Sequence, residues 1–219
     1  MAIRKRKVQA NYLKVNNKFE QLSVGFTELN ESPSPQTSSK RYIHQSGATQ
    51  SITSYEWSSA FTADQIENET VIEYLRNIGE MLVTGAGTET EYLIVDLDKP
   101  SKDGGFRARK FDVAIQIDEF GDEDGDLTMS GSFLGKGDPI EGTVTIVDGN
   151  VTFTEGFEDK TLEFEYTATG SITNISVAGI EYNDTDNKFI NIPLKVTTFT
   201  FKDGSNTKTA TLGQSWTVA

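Results

Sequence analysis

The chain has 219 residues and a formal net charge of −13, from 20 Lys and Arg set against 33 Asp and Glu. That balance excludes a surface that attracts nucleic acid by charge. The absence of cysteine excludes disulfides, thiol catalysis and thiolate metal sites, and a single histidine, His44, rules out an imidazole cluster for zinc.

The length holds one good core, or one core and a smaller satellite domain. At the N-terminus, Arg4, Lys5, Arg6 and Lys7 form the one basic cluster, followed by polar sequence with no apolar run. This is not the pattern of a secretory signal, and nowhere do about 20 apolar residues follow one another as a membrane crossing requires. A soluble chain, intracellular when made and with no membrane partner, is the expectation.

Residues 30–39 contain Asn30, Pro33, Pro35 and Ser39 among serines and lack an apolar period. They read as a long loop or arm. A strand is expected over 47–57. Thr62 to Gln65 matches the capping-box spacing and suggests a short turn of helix. From Asn68 to Gly79, Val71, Ile72, Leu75 and Ile78 recur at spacings of three and four, which predicts an amphipathic helix. Asn68 would cap it, Glu69 suits its positive end, and Gly79 would terminate it.

The remainder reads as β. Strands are expected over 91–98, 110–118, 127–134 and 142–147. In 110–118, Phe111, Val113, Ile115 and Ile117 alternate with Asp112, Ala114, Gln116 and Asp118, so one face is apolar and the other wet. Asp148-Gly149 supplies the positive φ angles of a tight hairpin turn between 144 and 154. Past 155 the composition shifts to Thr, Asn and alternating apolar residues. Strands are expected over 161–168, 171–180 and 194–201, with turns at 183–187 and 203–204. These readings divide the chain into 1–154 and a small β domain at 155–219.

The acidic run from Asp118 to Asp126 suggests calcium. With Gly125 at position six of an EF-hand loop, position one is Phe120 and position twelve is Gly131, so the pattern fails at both ends. A solvated acidic turn between strands explains it, with Glu119, Asp122, Glu123, Asp124 and Asp126 at the tip. His44 has no matched nucleophile. Gly85-Ala86-Gly87 and the turn Gly135 to Asp138 lack the rest of a phosphate or dinucleotide loop. An acidic glycosidase pair has no constellation to support it, and no cofactor or catalytic residue is called for.

Residues 40–80, 91–100 and 106–144 closely resemble the major tail proteins of tailed bacteriophages from low-GC Gram-positive hosts, the tube proteins of long, non-contractile tails. Related tubes occur in contractile tails and tailocins. The resemblance covers about 1–153. It implies a mainly β tail-tube fold: two packed antiparallel sheets forming a sandwich or partial barrel, with one flanking helix and a long arm. The segment 155–219 looks like the immunoglobulin-like β domain that such proteins often add. The resemblance also implies hexameric rings stacked into a tube with an acidic lumen, through which DNA passes without specific binding. Tape measure, tail terminator and distal tail proteins are the implied partners, and the virion the implied location, reached from the host cytoplasm.

Carried onto this sequence, Asp112, Gln116 and Asp118 are candidates for the lumen. Glu119, Asp122, Glu123, Asp124 and Asp126 are candidates for an inter-ring or lumen-rim contact. Arg4, Lys5, Arg6 and Lys7 are candidates for a contact between subunits, and Asn30, Pro33, Pro35 and Ser39 for the arm. The alternative from another class is a β-rich adhesin or carbohydrate-binding module that uses Tyr182, Phe189 and Trp216.

Overall fold

The computed structural model describes residues 3–102, 104–159 and, beyond them, six strands between 161 and 211. The chain forms two compact units, Met1–Lys99 with Gly105–Phe157, and Pro100–Gly104 with Glu158–Ala219.

In chain order the first unit contains β1 (Gln9–Val15), β2 (Lys18–Gln21), β3 (Phe26–Ser32), β4 (Pro35–Lys40), β5 (Thr49–Tyr55), β6 (Ser58–Asp64), α1 (Thr70–Glu80), β7 (Glu89–Pro100), β8 (Phe106–Glu123), β9 (Asp126–Gly135), β10 (Ile140–Val147) and β11 (Asn150–Glu155). The fold is mainly β, with one α-helix against a curled antiparallel sheet that makes a half-barrel. Strand order is β2-β1-β7-β8-β9-β6-β3, and β10-β11 branches from β8.

The branch is built into β8. Its first part, Phe106 to Lys110, pairs with β10, and Val113 onward pairs with β9. Asp112 sits at the division, where its carbonyl accepts the Lys136 N–H from the link between β9 and β10. One curled sheet therefore splits into two layers, in keeping with the partial barrel and flanking helix that the resemblance implies.

The split creates two cores. On one face, Leu13, Tyr92, Ile94, Phe111, Val113 and Ile115 meet Phe61, Ala63, Met129 and Phe133, and α1 closes this core with Val71, Ile72, Leu75 and Ile78. Aromatic rings run through it: Phe26 meets Phe61, Phe61 and Tyr92 each stack on Phe133 at 4.9 Å, and Trp57 stacks on Phe111. On the opposite face, β10-β11 folds over Ala10, Tyr12, Leu93, Val95 and Ala108, with Phe19 of β2 and Phe153 of β11 packed alongside. Strands β1 and β7 are thus covered on both sides. This is why Tyr92-Leu-Ile-Val95 is a continuous apolar run and not an alternating one.

Several expectations need correction. Ser58–Asp64 is a strand, not the approach to a helix: Phe61 and Ala63 are buried, and pairing with both β3 and β9 outweighs the local capping pattern. The N-cap of α1 is Glu69 with no side-chain capping bond, while Asn68 takes a φ of 64° and its N–H donates to Glu73. Gly79 lies inside the helix and does not end it. A β-carbon there would stand 2.7 Å from Cζ of Phe120 and 2.9 Å from Cγ2 of Ile117, so glycine lets α1 sit directly on β8. Residues 30–39 are mostly strand: β3 runs to Ser32, and β4 pairs with β5 as a separate two-stranded hairpin.

The turn at Asp148 (φ 48°) and Gly149 (φ 75°) forms as expected. In the second unit, β12 (Thr161–Glu165) pairs with β15 (Lys188–Pro193). The strands β14 (Ile180–Asn183), β13 (Asn174–Val177), β16 (Thr198–Asp203) and β17 (Asn206–Thr211) make another small sheet in that order.

Candidate functional site

The face of β8-β9-β6-β3 that looks away from the helix-covered core follows from the registers. Opposite the inward pairs Ile115↔Phe133 and Phe61↔Gly131, the outward positions on β8 are Asp112, Ala114, Gln116, Glu119, Gly121 and Glu123. On β9 they are Asp126, Thr128, Ser130, Ser132 and Leu134. Next to these come Ser58, Ala60, Thr62 and Asp64 of β6, and then Glu28, Asn30 and Ser32 of β3. Most of the side chains are small or acidic, with Gln116, Leu134 and Asn30 as the exceptions. None of these positions is Lys or Arg.

Asp112 and Gln116 stand exposed on this face, as alternation predicts. Asp118 is the extra residue of a β-bulge: the register passes from Ile117↔Gly131 to Glu119↔Ser130 without it. The Gln116 amide donates to its carboxylate, which keeps it beside the outward set. The bulge also resets the alternation. Phe120, paired with Met129, turns inward against α1, and Asp122 follows it, whereas Glu119 and Glu123 turn outward. The acidic run is therefore mostly ladder. Its turn is only Asp124 (φ 53°) and Gly125 (φ 96°).

The basic residues at the N-terminus do not act as one group. Arg4 donates to Asp96 at 2.6 Å and to Asp98 at 2.9 Å, and Arg6 donates to the Gln9 carbonyl and the Asn11 amide oxygen. Lys5 and Lys7 are exposed. Arg107 bridges Asp96 at 2.9 Å and Glu141 at 2.6 Å, and Arg109 grips Glu31 with two nitrogens at 2.6 and 3.0 Å. These groups lie on the same face of β1, β7 and β8 as the helix-covered core and form a polar cap at its end.

Burial pushes the carboxyls of Glu31 and Asp96 up. Hydrogen bonds from Arg109 and Trp57 for Glu31, and from Arg4 and Arg107 for Asp96, outweigh it and hold both below the usual carboxylate range. Arg4 in turn is raised by its bonds to Asp98 and Asp96. Deeper in, Tyr92 is buried and its phenol is pushed up to about 12, while its oxygen meets Asn11 and Ser59. Arg4, Arg107 and Arg109 are thus engaged with Glu31, Asp96, Asp98 and Glu141 of the cap and not with the carboxylates of the outward face.

Of the arm residues, Asn30 lies on β3 opposite Ala60, Pro33 falls between β3 and β4, Pro35 pairs with Tyr55, and Ser39 pairs with Gln50. Every residue of β4 and β5 is exposed. The hairpin tip, which sequence reasoning did not single out, presents Ile43 fully to solvent, with Tyr42 stacked on His44 at 6.0 Å. The far edge of β3 carries no strand among the described residues. Among the described residues no group of acidic or histidine side chains is placed to hold a metal. Trp216 lies outside the described residues. Tyr182 and Phe189 lie on β14 and β15, and their side chains are likewise outside them.

No family model and no curated protein matches the chain. Solved structures do match. One is a chain from the tail of an empty GTA particle, computed with helical refinement in C6 symmetry, at 15% identity and a TM-score of 0.47, covering 63% of this chain and 97% of that one. Another is from the virion of a native gene transfer agent particle, at 15% identity and a TM-score of 0.45, covering 69% of this chain and 99% of that one.

Proposed function

We propose that this chain is a structural tail protein of a phage-like particle whose copies join edge to edge into rings and stack into a tube, with the outward face of β8-β9-β6-β3 lining a passage for DNA. The observation that carries this reading is that face itself. It is broad, bears small side chains that leave a passage open, and carries Asp112, Glu119, Glu123, Asp126, Asp64 and Glu28 with no cation among its paired positions.

A phosphate backbone passing such a wall meets like charge. At physiological salt the repulsion reaches about 8 Å, enough to keep DNA from adhering without blocking it. The bare edge of β3, Phe26–Ser32, supplies main-chain donors and acceptors for a neighbouring copy, which extends the sheet around a ring. The resemblance of residues 40–80, 91–100 and 106–144 to phage tube proteins supports the same role. Hexameric rings and contacts with tape measure, terminator and distal tail proteins belong to this proposal.

Electron microscopy of the concentrated purified protein tests it. Uniform tubes with a central channel are expected, and a protein that remains monomeric at every concentration overturns the reading.

A further inference from the structure

We propose that the tip of the β4-β5 hairpin of one copy docks beside the C-terminal end of α1 on a second copy; the inference rests on the assembly reading above and names the surfaces that meet. The hairpin forms a sheet of its own, exposed on every residue. An isolated two-stranded hairpin is marginal in water and gains stability only from something packed on it.

The hairpin tip is shaped for a partner that is apolar and negatively charged. Ile43 is entirely exposed, and Lys40 sits 5.0 Å above the ring of Tyr42, next to Arg41. The complementary surface lies elsewhere in the same unit. A groove of about 390 Å³ runs between the end of α1 and β8, floored by Ile78, Gly79 and Ile117 and walled by Leu82 and Val83. Its volume falls within the range of about 300–1,000 Å³ typical of binding clefts.

Leu82 is 83% and Met81 65% exposed at its lip, an apolar patch that solvent does not favour. Along β8 the same face continues past Phe120 to Asp122, which is exposed. Apolar meets apolar, and Lys40 and Arg41 meet the Asp122 carboxylate. Arg4 is not a cation source for this surface, because it is held by Asp96 and Asp98 of its own chain. The hairpin does not occupy its own groove, since Ile43 is bare. A tip-to-groove contact between copies is heterologous, so it propagates.

The lack of native cysteine makes a clean test possible. Ile43→Cys with Leu82→Cys, both at exposed positions, is treated with a short thiol-to-thiol cross-linker under assembly conditions and run on a denaturing gel. A ladder of dimers and higher multimers is expected, with each single variant monomeric. Adding Lys40→Glu and Arg41→Glu should cut the cross-linked fraction at least tenfold, and Asp122→Lys should restore part of it. Tubes in the microscope with only monomer on the gel overturn the docking and leave the tube standing. A ladder without tubes supports the docking and overturns the tube. A cross-link within one chain makes the occupant the chain's own hairpin and overturns the proposal.

Discussion

Trp57 lies flat on Phe111, ring centroids 3.9 Å apart and planes 14° apart, while its indole N–H donates to Glu31 at 2.7 Å. The contact joins the apolar core to the polar cap above it. Trp57→Ala removes both the stacking and the bond and should cost about 3 kcal/mol, the low end for an aromatic truncation because the ring is only half-buried. Trp57→Phe keeps a ring on Phe111 and should cost about 1 kcal/mol for the lost hydrogen bond. Urea unfolding of the two variants checks the order. Equal losses would show that the ring contact contributes little.

Acid should act on the cap in a definite direction. Glu31 and Asp96 have carboxyls held below their ordinary values of 4.5 and 3.8, so they bind protons more weakly folded than unfolded. The stability they contribute is complete above those ordinary values and is lost as pH falls through the depressed ones. Protonating the many surface carboxylates works the other way by relieving self-repulsion, so the raw curve mixes both. The difference between wild type and Glu31→Gln isolates the cap. The variant should be less stable at pH 7, and the gap should narrow below about pH 4. A gap unchanged down to pH 3 would show that Arg109 and Trp57 do not favour the ionised form.

Much of this fold was legible because it follows simple periods. The stripe Val71, Ile72, Leu75, Ile78 places α1, and the alternation from Phe111 to Ile117 assigns the faces of β8. What escaped has identifiable physical causes. In β3, a bulge between Phe26 and Glu28 puts the two core-facing residues, Phe26 and Leu29, three apart. In β8, the bulge at Asp118 does the same to Ile117 and Phe120, so a strict alternation stops short of the strand's end. In β1, Asn11 reads as polar surface but is buried on Tyr92. The β4-β5 hairpin buries nothing, so it has no apolar period to detect. The alternation pointed to the outward face of β8, but only the ion pairs of the folded chain showed that Arg4, Arg107 and Arg109 are engaged elsewhere.

The bulge makes a sharper prediction about β8. With Asp118 removed, Ile117 and Glu119 become neighbours in an unbroken ladder, and every residue up to Glu123 keeps its face. Deleting Asp118 should therefore be tolerated, with stability within about 1 kcal/mol of wild type. Deleting Gln116 instead leaves an odd offset within the regular part of the ladder and must turn apolar residues outward or break pairing with β9. Thermal unfolding of the two deletions, with soluble yield, compares them. Equal damage from both would contradict the register.

The outward face yields the prediction closest to function. Asp112→Lys with Asp118→Lys replaces two negative charges with two positive ones, a change of +4 per copy in a chain whose formal net charge is −13, all of it on the wall proposed to line the passage. Neither residue contributes to a core, so the folded protein and its tubes should form as in wild type. What changes is the interaction with DNA. On the proposed role, repulsion between wall and phosphates gives way to local attraction, and tubes should retain short duplex DNA that wild-type tubes release. The retention should weaken steeply between about 0.15 and 1 M salt as the screening length falls from about 8 to 3 Å. Particles carrying both changes should deliver DNA poorly at low salt. Normal delivery by intact particles, with no salt-dependent retention, would place these carboxylates on another surface of the tube.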